Sequence, residues 1–512
     1  MNVLGLAKNV VIGRAKNFSD QKLFHRASLI AMFAWVGLGA DPVSSSGYGP
    51  ESVFLALGAH TGLSLFVAAA VILTIVVICA SYSQIIEHFP AGGGGYLVAS
   101  NGLPFLRKPR VRTGKRTMIY MGASLALLVG GLLLAYLLYH VTPVEGKTLN
   151  AVLFGQMTSA WPAPAAKMFM FAALASAALL LFIAAETGFL DGPRVLANMA
   201  ADRWMPTRFA SLSDRLVTQN GILLMGLATL IVLLLCRAAV DTLIILYSIN
   251  VFVTFSLSQL GMVRHWWLNR GREPAWKRKL LINGFGLLMT GGILISLCIF
   301  KFFAGGWVTL LVTGVLIAAA FGIKRHYRRT QTQLQRLDEL VAAADMNRTG
   351  IMDSGAPACH PDARTAVFLV NGFNGLGLHT LLAIIRMFPR VYQNYVFLQV
   401  GVVDAGSFKG AAEVENLRDH SRRELERYAA YMRQRGFYAE AHFAVGTDVA
   451  EEAAQLCEKV AQRLSQAQFF AGQLVFKDEN LLTRWLHNYT VFELQRRLYQ
   501  NGRPLFILPI QV

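Results

Sequence analysis

Charge is what this chain has least of. Of its 512 residues, 54% are hydrophobic and 15% charged, whereas soluble domains run nearer a quarter charged. That deficit excludes a chain soluble throughout and makes burial in a bilayer the first expectation. Acidic residues are scarcer than basic ones, 30 against 48, for a net charge of +18. The Lys and Arg sit in short stretches between apolar runs, the pattern of cytoplasmic loops facing anionic lipid, so no nucleic acid partner is expected. Cysteine is sparse too. Cys79, Cys236, Cys298, Cys359 and Cys457 form no close pair and no metal-ligand spacing, so neither a disulfide framework nor a metal site is expected and the thiols read as reduced and structural. Residues 1–26 are basic, but no short apolar run with a small-residue cleavage site follows, and no signal peptide is expected. Catalytic residue types are not grouped either: Cys457, His379 and Asp404 fall on separate expected elements, so no enzyme is expected.

What the chain has instead is long apolar runs. A membrane helix needs about 20 such residues, and eight stretches qualify: 27–58, 62–86, 118–140, 168–187, 219–236, 240–262, 280–300 and 304–323. Alternate loops are basic. The N-terminal segment 1–26 carries Lys8, Arg14, Lys16, Lys22 and Arg26, and later loops carry Arg107–Arg116, Arg194–Arg215, Arg264–Lys279 and Lys324–Arg329. The loops between them hold only Lys147, Lys167, Arg237 and Lys301. By the positive-inside rule both termini are cytoplasmic.

The first run is too long for a plain helix, about 48 Å if unbroken. Its middle reads Gly39-Ala40-Asp41-Pro42-Val43-Ser44-Ser45-Ser46-Gly47-Tyr48-Gly49-Pro50, and two prolines among glycines and serines release backbone groups. Irregular backbone at membrane depth is tolerated where it lines protein or a wet cavity. A broken helix bearing an acid is how transporters build an ion site. Asp41 is therefore a candidate cation ligand; the alternative is that it caps the second half-helix. Ser44, Ser45 and Ser46 either add ligating oxygens or satisfy the freed backbone.

Four stretches, in order, resemble the amino acid–polyamine–organocation (APC) superfamily, in particular its KimA-like potassium-importer branch: Gly39–Glu51, Pro90–Ala99, Gly188–Phe209 with Asp214–Gly221, and Ser256–Trp266. The resemblance covers residues 20–330 and implies a LeuT-type (APC) helical fold and secondary transport. It also departs from the family. The glycine loop at 92–95 should lead into a third helix, yet the chain runs through a basic linker into a span resembling the family's seventh, with 143–153 after it. Family helices three to six are missing on this reading, and with them the third-helix acid and hydroxyls of the potassium site. Asp41 and Tyr48 are what the resemblance carries over. The expected fold is an all-α polytopic membrane protein shortened to about eight spans, which oligomerisation, as a homo-oligomer, would help to complete.

Other polar residues have plainer readings. Glu87 and His88 end the second span near the cytoplasmic surface. Glu186, Asp191 and Arg194 flank Gly192-Pro193 at an expected helix end, as a gate ion pair or a surface pair. Tyr247, Asn250 and Thr254 form a stripe that would knit helices together, and Trp266 and Trp267 an interfacial anchor. The glycines 92–95 lack the strand and Lys-Ser/Thr of a phosphate loop.

After a linker at 324–363 the period changes. Strands are expected at Thr365–Val370, Tyr395–Val403, Ala439–Val445, Phe469–Phe476 and Pro504–Val512, with helices at 376–389, 411–436, 449–466 and 480–500. Alternation of this kind implies a parallel sheet covered on both faces. This cytosolic domain, 364–512, resembles the universal-stress-protein-like tail of KimA-like importers. Its glycine-rich turn, with Gly372, Asn374, Gly375 and Gly377 opening a helix, would hold phosphate on backbone N–H groups; the alternative is a tight packing turn. The resemblance implies cyclic di-AMP as a regulatory nucleotide and no other cofactor.

The leading expectation is thus a multi-pass protein, 27–323, of a bacterial-type inner (plasma) membrane. It would take up potassium with proton coupling. The alternatives are an amino acid permease and a non-transporting, membrane-anchored nucleotide sensor.

Overall fold

The computed structural model describes residues 39–88, 108–213, 216–271, 273, 275–337, 358–405, 411–476 and 490–511. The N-terminal segment, the start of the first span, the glycine loop at 90–99, Asp214 and Arg215, most of the linker and the beginning of the last expected helix lie outside the described residues.

The chain begins with a short helix α1 (Ala40–Ser44), a 3-10 turn (Ser45–Gly47) and α2 (Gly49–Leu57). Then come α3 (Ser64–His88), α4 (Lys108–Leu138), α5 (Leu149–Met157), α6 (Ala163–Ala201), α7 (Gln219–Leu235), α8 (Val240–Leu268), α9 (Trp276–Phe300) and α10 (Trp307–Leu337). Among the described residues six helices are long and apolar enough to cross a membrane: α3, α4, α6, α8, α9 and α10, some with flanking turns. The 17-residue α7 is apolar but shorter. Of the eight expected spans, six therefore have a full-length counterpart among the described residues. Their outward side chains are apolar, Phe303 being 93% exposed, as bilayer-facing positions should be.

Three expectations about these helices change. The span at 168–187 extends as one helix to Ala201 with Pro193 inside it, so Glu186, Asp191 and Arg194 lie within a helix rather than at its end. Gly192, beside the proline, faces the Met225 side chain, where a Cβ would come within 2.9 Å. The last two spans join through a single widened turn, Phe302–Gly306, in which Gly305 takes φ 110°. Finally, the linker begins inside α10.

Two compact units emerge. One holds residues Ala27–Val195 and Leu224–Val315; the other holds Leu196–Leu223 and Leu316–Val512. The expected division at 323 and 364 is thus not the physical one, because the segment after α6 packs with the C-terminal part of the chain. Ala405 N–H donates to Ala210 O at 2.8 Å, Ser211 bridges Asp404, and Lys324 Nζ donates to Asp202 O at 2.6 Å.

Within the membrane unit, α3 and α4 approach closely through small residues: Gly122 faces Cys79, and a Cβ on Gly130 would sit 3.3 Å from Ile72. The unit also contains a fully buried polar cluster. Ser81 on α3 donates towards Gln259 Oε1 on α8 (2.7 Å) and Asn283 Oδ1 on α9 (2.6 Å), and Asn283 Nδ2 donates to Gln84 Oε1 at 2.7 Å. Side-chain bonds of this kind join helices where lipid gives no hydrophobic driving force. Asn250 acts likewise, accepting from Thr313 at 3.0 Å.

The C-terminal part forms β1 (Thr365–Leu369), α11 (Gly375–Met387), β2 (Asn394–Val402), α12 (Ala411–Arg433), β3 (Tyr438–Gly446), α13 (Val449–Arg463), β4 (Ala467–Val475), α14 (Thr490–Gln500) and β5 (Leu505–Gln511). The sheet is parallel throughout, in the order β3-β2-β1-β4-β5. One core joins α11 and α12 to one face, through Phe368, Phe397, Leu381 and Tyr428. The other joins α13 and α14 to the opposite face, through Val367, Leu398, Cys457 and Leu494. The order reverses between β1 and β4, and at such a switch point the carboxyl ends of neighbouring strands leave a crevice.

Candidate functional site

Two places gather the residues singled out by the sequence. The first is the interruption between α1 and α2. It is narrower than expected: the backbone stays helical or 3-10 from Ala40 to Gly47 and departs at Tyr48, with φ −132°. Pro42 sits in the first turn of α1 and Pro50 in the first turn of α2, where a missing N–H costs little. The serines hold this shape. Ser44 Oγ donates to Asp41 O at 2.6 Å and Ser46 Oγ to Val43 O at 2.7 Å, while the Tyr48 hydroxyl reaches Ser45 Oγ at 3.4 Å. Ser44 and Ser46 thus serve the backbone.

The Asp41 side chain is exposed. The Asp191 carboxylate of α6 is near enough to act on it electrostatically, and Asp41 and Tyr48 act in turn on the Tyr247 hydroxyl of α8. Asp41 is therefore within electrostatic range of Asp191 and Tyr247, and Tyr48 within range of Tyr247. Asp191 and Tyr247 had separate readings from the sequence, and their convergence on Asp41 comes from the packing of three distant helices. Among the described residues no ion pair joins Glu186, Asp191 and Arg194, and all three are exposed.

Behind the interruption lies a brace that the sequence reading missed. Fully buried Tyr136 on α4 donates to Asn150 Oδ1 on α5 at 2.6 Å, and Asn150 Nδ2 reaches Gly47 O at 3.3 Å. Phe54 of α2 packs edge-on against the Tyr136 ring with centroids 5.4 Å apart. A lone Asn in a short apolar helix was the available signal, and nothing in sequence proximity pointed to its partners.

The second place is the crevice at the carboxyl edge of the sheet. It has a volume of about 1390 Å³ and is lined from β1, β2 and β4, by Asn371, Asn374 and Gly377 of the glycine-rich turn, and by Arg208 and residues 210–213. Asn374 caps α11: its Oδ1 accepts from Gly377 N–H at 3.0 Å and its Nδ2 donates to Asn371 O at 2.6 Å. Gly372 takes φ 79°, a left-handed conformation suited to glycine. Helix α12 clamps the turn from behind. Glu424 accepts from Phe373 N–H at 2.8 Å, the Tyr428 hydroxyl donates to Gly372 O at 3.2 Å, and Arg427 lies 4.0 Å over the Phe373 ring.

The four predicted turn residues do not act alike. Asn374 and Gly377 face the crevice, whereas Gly372 and Gly375 do not line it. The absent side chains of Gly375 and Gly377 also make room for Leu337 and the Tyr428 hydroxyl, so tight packing accounts for both glycines. Gln399 on β2 was missed. It is 7% exposed, lines the crevice, and its Oε1 has no hydrogen-bond partner. A buried acceptor without a partner costs about 1–3 kcal/mol, which a bound donor would relieve. Ser421 on α12, 1% exposed, also has an unpartnered hydroxyl and lies against Gly401 of β2.

Among the described residues no cluster of His, Cys, Asp and Glu has the grouping of a metal site.

Comparison with known proteins bears on the membrane part. Residues 94–321 match the family model of amino acid permeases. The potassium transporter KimA of Bacillus subtilis (strain 168) is 31% identical over 245 residues, which is 48% of this chain and 39% of the transporter. The chain therefore spans well under half the length of that curated relative. Six membrane-length apolar helices among the described residues, the family match and this identity agree on one reading: the chain is a multi-pass membrane protein whose membrane region is similar to amino acid permeases and to the potassium transporter KimA.

Proposed function

We propose that the chain is a secondary transporter that takes up potassium with protons, and that Asp41 is its cation ligand. The observation that carries this reading is the exposed Asp41 carboxylate at the α1–α2 interruption, within electrostatic range of Asp191 and Tyr247. A carboxylate among hydroxyls at an interrupted membrane helix suits a small cation. The identity to a potassium transporter supports the same substrate.

On the reading that family helices three to six have no counterpart here, a second copy of the chain is the natural completion of the core, and a homo-oligomer in a bacterial plasma membrane is proposed on that ground. The loop charges favour both termini on the cytoplasmic side. The crevice at the sheet edge, with its capped helix and unpartnered Gln399, is proposed to take a regulatory nucleotide, cyclic di-AMP being the first to test. The matched family's description favours a second reading, an amino acid permease.

The test is growth of a bacterium lacking its potassium uptake systems, at low potassium, with the wild-type chain or Asp41→Asn. Rescue by the wild type and not by the variant is expected, with both confirmed in the membrane. Equal rescue by Asp41→Asn would remove the cation-site assignment. No rescue by either, together with amino acid uptake in vesicles, would favour the permease reading.

A further inference from the structure

We propose that the groove between Trp204 and the cationic face of α10 binds the headgroup of an anionic phospholipid. The inference rests on the bilayer crossing of α10 and not on the transported substrate. The groove has a volume of about 840 Å³ and is lined by Trp204, Phe321, Lys324, Arg325, Arg328 and Arg329, with two neutral polar residues at its lower end. Four cations and, among the described residues, no carboxylate face it.

The cations are available. Lys324 Nζ donates to the backbone oxygen of Asp202 at 2.6 Å and lies 5.2 Å over the Trp204 ring, so its position is fixed, and among the described residues no carboxylate pairs with it. Arg325, Arg328 and Arg329 are exposed, and among the described residues none of them pairs with a carboxylate.

Helix geometry selects lipid over a soluble anion. Residues 317, 321, 325 and 328 follow one stripe at three- and four-residue spacing. Along it, Ile317 and Phe321 are exposed, at 49% and 60%, and the arginines follow directly. This change from apolar to cationic occurs on a helix long and apolar enough to cross the membrane. A molecule with acyl chains beside Ile317 and Phe321 and a phosphate at the arginines matches both halves of the stripe. A free phosphate or an acidic peptide matches only the lower half. Trp204, edge-on to Phe321 with ring centroids 5.3 Å apart, supplies the amphipathic ring favoured at the headgroup level.

The experiment is native mass spectrometry of the full chain in detergent, titrated with phosphatidylglycerol or phosphatidylcholine. Phosphatidylglycerol adducts are expected at lower lipid concentration. Each basic side chain near an anionic surface contributes on the order of fivefold in binding, so Arg325→Gln/Arg328→Gln should weaken phosphatidylglycerol binding by about 25-fold. Both side chains are exposed, so the fold should tolerate the change. Lys277→Gln/Arg278→Gln, an equal loss of charge in the first turn of α9, should leave binding unchanged. Equal binding of the two lipids, wild-type binding by Arg325→Gln/Arg328→Gln, or an equal loss in the control variant would overturn the proposal. So would displacement of the lipid by glycerol phosphate or an acidic peptide at equal concentration, which would make the groove a site for soluble anions.

Discussion

The brace behind the helix interruption gives a prediction in which removing more does less harm. Asn150→Leu keeps the size of the side chain but takes away the acceptor of the Tyr136 hydroxyl, 2.6 Å distant, and the 3.3 Å donor to Gly47 O. Tyr136 is fully buried, so its hydroxyl has no water to turn to. Leaving one buried donor unsatisfied costs about 1–3 kcal/mol, and the longer bond to Gly47 adds about 0.6 kcal/mol, the usual size of an interhelical bond in a membrane. The single change should therefore destabilise the membrane unit by roughly 2–3 kcal/mol. Tyr136→Phe should cost about 1 kcal/mol, the net value of one hydrogen bond. The combined variant has neither acceptor nor stranded hydroxyl and should cost about 1–1.5 kcal/mol, less than Asn150→Leu alone. Unfolding in mixed micelles of graded denaturing detergent gives all four free energies and hence the coupling. Simple additivity would refute the brace. In the transport assay Asn150→Leu should fall furthest and the combined variant should recover part of the loss, because what the brace holds is the Gly47–Tyr48 turn next to Asp41.

Two further expectations concern the sheet-bearing unit. Gln399→Leu fills the same space without an acceptor, so cyclic di-AMP binding by the full chain, read by calorimetry, should weaken by roughly tenfold while thermal stability holds or rises; unchanged binding would take the crevice out of nucleotide recognition. Burial pushes the Cys457 thiol up to about 12, so at pH 8 it is a thiol rather than a reactive thiolate. Iodoacetamide should label it in the folded protein far more slowly than in denaturant, and comparable rates would mean that the α13 core is open.

The C-terminal strands and helices were legible almost residue by residue because strand and helix periods differ, and five apolar runs separated by amphipathic helices leave few alternatives. The membrane helices were legible as apolar lengths, but their ends were not. Pro193 read as a stop, yet α6 continues past it because the neighbouring Gly192 and packing against Met225 accommodate the local distortion. The interruption at 39–50 was visible, whereas its shape was not: the serine hydroxyls that return to Asp41 O and Val43 O keep the chain helical up to Gly47. Asp41 and Tyr48 stood out as a polar pair in an apolar run. Their neighbours Asp191 and Tyr247 belong to helices well over a hundred residues away, and so do the partners of Ser81 at Gln259 and Asn283. Contacts of that range follow from how helices pack, which a single sequence does not display.

The buried polar cluster within the membrane unit has a mechanical consequence. Ser81, Gln84, Gln259 and Asn283 tie α3, α8 and α9 together at one point. The bilayer holds no water to take over a broken bond there. A shift of any one of these three helices should therefore carry the other two with it as a block.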